Sequence, residues 1–230
     1  AGAIASKILN EMGIHILAYT RSIGPVTISM DQFNEEAVRN TATCMPDYSA
    51  DEQALTYLQE CMHRQDSAGG VIECQVTGVP AGIGDPVFEK LDANLAKAIL
   101  SIGAVMSIGA VKAVEIGDGI AVSKSCGSEN NDHFEIRDGR IVKKTNHAGG
   151  ILGGISDGST IVLRAHVKPT PSIAQPQDSV SLSRGENTTL EIHGRHDPCI
   201  VPRAVPCVEA AAAIAVCDAL LEQQRRSELL

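Results

Sequence analysis

Apolar residues recur at helical spacing in several stretches of this 230-residue sequence, and short unbroken apolar runs fall between them. That alternation restricts the chain to folds that mix helices with sheet. Ile4, Ile8, Leu9 and Met12 predict one helical face with Gly13 as its C-cap, and IHILAYT follows as a strand. Ser49 and Glu52 have capping-box spacing, predicting a helix whose face is Ala54, Leu55, Leu58, Cys61 and Met62 and which stops at Gly69 and Gly70. VIECQV predicts a strand. Phe88, Leu91, Leu95, Ile99 and Ile102 predict a helix, and Val111 to Ile116 a further strand. From Gly117 to Arg140 the composition turns to Gly, Asp, Asn and Ser, which predicts a long loop or a hairpin with a mobile tip. STIVLRAHV reads as strand, Pro169 to Asn187 as a long polar loop, TTLEIH as strand and Ala204 to Arg226 as helix. No domain boundary stands out, so one domain over residues 1–230 is expected.

Aromatic residues make up only 3% of the chain and Trp is absent, so Ile, Val, Leu, Ala and Gly must supply the core. The formal net charge of −9 and the shortage of stacking groups argue against a nucleic-acid partner or a membrane surface. The uncharged stretch from Ala98 to Val111 is shorter than the roughly 20 residues of a membrane span. Seven cysteines in odd number, without CxxC or metal-ligand spacing, suit a reducing compartment and hence a cytoplasmic location. SIGAVM at Ser101 is followed at once by SIGAVK at Ser107, a duplication expected to bulge locally with one copy in register.

Three segments could carry chemistry. In TNHAGGILGGISDG the run of glycines lets backbone approach either a ligand or a neighbouring strand, and the two readings start about even. Lys168, Pro169, Thr170, Pro171 and Ser172 combine an ammonium, two hydroxyls and a stiffened backbone, which suits a phosphate or a flavin edge, although residue types alone favour a solvated connector slightly. In Gly194-Arg195-His196-Asp197-Pro198-Cys199 a guanidinium and a carboxylate stand close together, and the proline holds Asp197 in extended backbone. Arg195 could clamp an anion and Asp197 accept a proton, or the two could form a surface ion pair. Glu115 and Asp118 could act as acid and base but read more readily as a solvated loop edge, and His147 stands out only for its place beside the glycines.

Taken in order, GVPAGIGDPVFEKLDA, SIGAVKAVEIGDG, GSENNDHF, NHAGGILGGISDG, KPTPS and GRHDPCIVPRAVPCVEAA closely resemble successive segments of chorismate synthase. The resemblance implies an α+β fold, a sandwich of helices between antiparallel β-sheets, incomplete at the N-terminus. It also implies a homotetramer once complete. The implied reaction is the anti-1,4 elimination of phosphate from 5-enolpyruvylshikimate 3-phosphate to give chorismate, with reduced FMN as cofactor. Gly109 and Ala110 (or their duplicates Gly103 and Ala104), Gly153, Lys168, Pro169, Thr170, Pro171, Ser172 and Arg195 are the implied flavin contacts, and Asp197 the implied proton-handling residue. The family's GESHG, RRPG, PGHAD and GRSSARET segments, with both catalytic histidines, are not found in these 230 residues. The alternative implied is an inactive fragment that keeps part of the flavin-binding or assembly capacity.

Overall fold

A computed structural model describes residues 1–103, 109–194 and 197–227. The fold is α+β. Its elements run α1 (Gly2–Glu11), β1 (His15–Ile23), β2 (Val26–Thr27), α2 (Glu35–Asn40), α3 (Tyr48–His63), β3 (Gly70–Thr77), α4 (Leu91–Leu100), β4 (Val111–Ile116), α5 (Gly127–Asn130), β5 (Phe134–Arg137), β6 (Arg140–Lys143), β7 (Ile151–Leu152), β8 (Ile155–Ser156), β9 (Ile161–Val167), β10 (Gln177–Ser181), β11 (Glu186–Leu190) and α6 (Val201–Ser227). Five strands form one sheet in the order β2-β1-β3-β9-β4, and three two-stranded hairpins, β5–β6, β7–β8 and β10–β11, form separate sheets. Internal contacts group the chain into two compact units. The first comprises Ala1–Ala18, Ile72–His166 and Val205–Leu230, the second Tyr19–Val71 and Val167–Ala204.

In the first unit Leu9, Ile72, Leu91, Leu95, Ile99, Ile161 and Leu163 are fully buried, an aliphatic core of the kind the shortage of aromatics requires. Helix α1 does not bury the predicted face. Leu9 is covered, but Ile4, Ile8 and Met12 are exposed and Gly2 and Ala5 take the inner side. The reason is close approach: a Cβ on Gly2 would lie 2.3 Å from the Ala210 Cβ, so small residues let α1 come against α6. Gly13 does follow the helix with a positive φ of 75°.

Helix α6 is long and apolar enough to span a membrane, judged by length and composition alone. Val208, Ala212, Ala213 and Val216 along it are nevertheless fully buried in protein, as the inner face of a core helix is. Of the two forms expected from Gly117 onward, loop or hairpin, the chain forms a hairpin at β5 and β6. Asp138 and Gly139, with φ of 52° and 74°, make the tight turn of the β5–β6 hairpin, in which Ile136 pairs with Ile141.

In the second unit α3 is capped by Asp47, whose carboxylate accepts the Ala50 N–H at 3.1 Å; Ser49 lies inside the helix. The helix ends at His63, and Gly70 opens β3 instead of stopping α3. The stretch expected as a polar loop holds β10, paired with β11 from Gln177–Leu190 to Ser181–Glu186. All seven cysteines are free thiols, Cys126 exposed and Cys61, Cys74, Cys199 and Cys217 buried. Burial pushes the Cys199 thiol up to about 11, which makes it inert at neutral pH. In the SIGAV duplication, residues 104–108 lie outside the described residues; α4 ends before the first copy, and β4 begins with Val111 of the second.

Candidate functional site

The second unit brings two of the three candidate segments together. After α3 the chain reverses through Gln65, whose φ is +58°, and Asp66, whose N–H donates to the Cys61 carbonyl at 2.9 Å. Ser67 Oγ then donates to the Thr170 carbonyl at 2.7 Å, and Gln175 Nε2 donates to the Arg64 carbonyl at 2.6 Å. On the other side the Ala68 N–H donates to the Pro198 carbonyl at 2.7 Å. Gly69 has no room for a side chain, since a Cβ would lie 2.5 Å from the Val167 carbonyl oxygen and 3.0 Å from Pro169 Cδ. These bonds close residues 65–67, 172–174 and the pair Asp197 and Pro198 around a cavity of about 240 Å³, with Ser172 and Asp197 both in its wall. Arg203, in the first turn of α6, places Nη1 2.6 Å from Asp197 Oδ2.

The first unit holds the glycine segment and a connected polar network. Gly149 and Gly150 serve close backbone packing: a Cβ there would meet Gly117 N at 2.3 Å and the Thr160 carbonyl oxygen at 2.6 Å. Gly153, at the β7–β8 turn with φ +62°, has nothing within 4 Å of its Cβ position and so faces open space. Gly109 likewise has none of the described residues within 4 Å of its Cβ position, whereas Ala110, just before β4, is buried. Lys143, Asp132 and Asp157 form a buried ion cluster, with Lys143 Nζ 2.7 Å from Asp157 and 3.2 Å from Asp132. Burial works against the Asp132 carboxylate, but N–H donors from Ala148 and His147, the Thr145 hydroxyl and Lys143 outweigh it and hold the group far below the usual carboxylate range.

Glu115 and Asp118 are not simply solvated. Asp118 Oδ2 lies 2.5 Å from His147 Nδ1, and Glu115 Oε2 lies 3.3 Å from His166 Nε2 without a hydrogen bond between them. Arg164 ties this strip to the buried Glu73 at 2.6 Å and to the Gly117 carbonyl at 2.7 Å.

The sequence profile of chorismate synthase matches residues 1–221. The chain belongs to the chorismate synthase family. It is 55% identical over 222 residues to the chorismate synthase of Lachnoclostridium phytofermentans, covering 96% of this chain and 59% of that protein. The corresponding protein of Methanocella arvoryzae is 47% identical, with 96% of this chain and 58% of the relative covered. A crystal structure of chorismate synthase matches with a TM-score of 0.78 at 29% identity, over 96% of this chain and 61% of that one. The chain thus spans about three-fifths of the length of the chorismate synthases it matches.

Against the family's flavin requirement, the second unit offers a fitting donor set. Thr170 Oγ1 is buried without a hydrogen-bond partner, a costly state that a ligand acceptor would relieve. Ser172 stands in the cavity wall, and Lys168 is exposed at the end of β9. Gly109, Ala110 and Gly153 belong to the other unit, and Arg195 lies outside the described residues. Sequence reasoning passed over Ser67, Gln175 and Arg203, which hold the cavity's segments and pair with Asp197. Their residue types are common on surfaces, and only the fold brings them to the site.

Proposed function

We propose that this chain serves the chorismate synthase reaction, the anti-1,4 elimination of phosphate and a ring proton from 5-enolpyruvylshikimate 3-phosphate, with reduced FMN bound in part at the cavity of the second unit. The observation that carries the reading is the convergence of Ser172 and Asp197, twenty-five positions apart, on one cavity; two residues before Ser172, the Thr170 hydroxyl is buried without a hydrogen-bond partner. When bound, reduced FMN supplies electron density transiently to the reacting ring and is not consumed. The protein's part is to position groups and move a proton.

Asp197 is assigned the proton-handling role beside the flavin. A following proline, Pro198, disfavours helical backbone at Asp197, which narrows the directions its carboxylate can take. Thr170 and Ser172 offer hydroxyl donors on a segment whose three-dimensional place is set by Ser67, so little ordering entropy is lost on binding. Lys168 supplies a cation for a phosphate oxygen. Gly109, Ala110, Gly153, Pro169, Pro171 and Arg195 complete the proposed contacts by family resemblance, as do homotetrameric assembly and a cytoplasmic location.

Anaerobic phosphate release from 5-enolpyruvylshikimate 3-phosphate with reduced FMN tests the proposal. The chain is assayed alone and after mixing with the portion of the Lachnoclostridium phytofermentans protein that it does not cover. Release in the mixture is the expected result. Flavin binding without release in either sample supports the alternative, a fragment that keeps a binding or assembly role.

A further inference from the structure

The cavity that carries Asp197 has an electrostatic problem. Its described lining includes two carboxylates, Asp66 and Asp197, in a chain whose formal net charge is −9. Asp66 spends one oxygen on the Ser67 N–H at 2.8 Å. An anionic ligand approaching this wall meets like charge, which costs binding energy wherever it is not compensated.

Arg203 supplies the compensation from outside the wall. It stands in the first turn of α6, a turn fixed by the fully buried Val201 and Ala204 on either side of it. Its Nη1 lies 2.6 Å from Asp197 Oδ2, while the two side chains keep 59% and 39% of their surface exposed. A planar guanidinium at that distance can fix the carboxylate's orientation as well as offset its charge.

We propose that Arg203 is a positioning residue: by pairing with Asp197 it orients that carboxylate and offsets its charge, so that the cavity accepts an anionic, phosphate-bearing ligand. The inference rests on the reading of this cavity as a flavin site. Arg203 is not assigned any contact with the ligand. Its effect passes through Asp197, so it should vanish when Asp197 carries no charge.

The test is the affinity of the 230-residue chain for FMN, read by flavin fluorescence at low salt. Arg203→Gln is expected to weaken binding roughly five- to tenfold, and Arg203→Lys to keep most of the affinity. Adding Asp197→Asn to Arg203→Gln should restore binding to the level of Asp197→Asn alone. Molar salt should erase the difference between Arg203→Gln and the unmodified chain, because screening then acts within about 3 Å. Unchanged binding by Arg203→Gln, or no restoration by Asp197→Asn, overturns the inference and leaves the flavin reading standing. Failure of the unmodified chain to bind FMN at all overturns both.

Discussion

Lys143→Met should destabilise the protein by about 3–5 kcal/mol at neutral pH, because it leaves buried carboxylates without their cation. The Lys143 side chain is 4% exposed, Asp132 5% and Asp157 10%, so neither carboxylate can turn to water instead. A loss of that size is a large share of the roughly 5–15 kcal/mol that holds a domain folded. Thermal or urea unfolding of the two proteins reads it directly. The same cluster sets an acid dependence. Asp132 and Asp157 are both held below the ordinary carboxylate value in the folded protein. Their contribution is therefore fully present above about pH 4 and drains away as the pH falls through the folded values. Replacing Lys143 raises the folded values toward the unfolded ones, so less stability remains to be lost on acidification. A destabilisation under about 1 kcal/mol would mean that the cluster's hydrogen bonds, and not its cation, hold the carboxylates.

Asp197→Asn should lower phosphate release by at least about a thousandfold while FMN still binds. Asparagine keeps the size and hydrogen-bonding shape of the side chain but cannot accept the proton. The substitution also breaks the pair with Arg203, yet both side chains are substantially exposed, so the stability change should stay within about 1 kcal/mol. That separation is the point of the experiment: lost turnover with intact folding and intact flavin binding isolates a chemical role. Turnover within tenfold of the unmodified protein would remove Asp197 from the reaction.

The elements that sequence made legible are those with one buried face. Strands β1, β3, β4 and β9 and helices α3, α4 and α6 all fall where apolar periodicity placed them, within a few residues. Strand β10 escaped because both its faces are partly wet: QDSVS carries a single aliphatic residue, Val180, and that one is exposed. The inner face of α1 was misplaced for the opposite reason. Burial there goes to Gly2 and Ala5, whose small size permits close helix contact, and an apolar count gives such residues little weight. Capping geometry was confused by neighbours, since both Asp47 and Ser49 are good cap residues and only the backbone at Asp47 is extended.

The candidate site shows the same division. KPTPS and RHDPC were legible as chemistry, each through its own residue types. Their meeting was not, because it depends on three bonds between distant positions: Ser67 to Thr170, Gln175 to Arg64 and Ala68 to Pro198. The glycine segment divided its roles, with Gly149 and Gly150 used for packing and Gly153 left open. An even choice between packing and ligand approach becomes, residue by residue, some of each.

An FMN titration of the isotopically labelled chain, followed by amide resonances, tests the flavin site most directly. Thr170, Ser172, Gly194 and Asp197 are expected to shift together along one saturation curve, since they belong to one cavity wall and its supporting segment. Saturable binding that leaves those four amides unmoved and shifts a different surface would contradict that assignment.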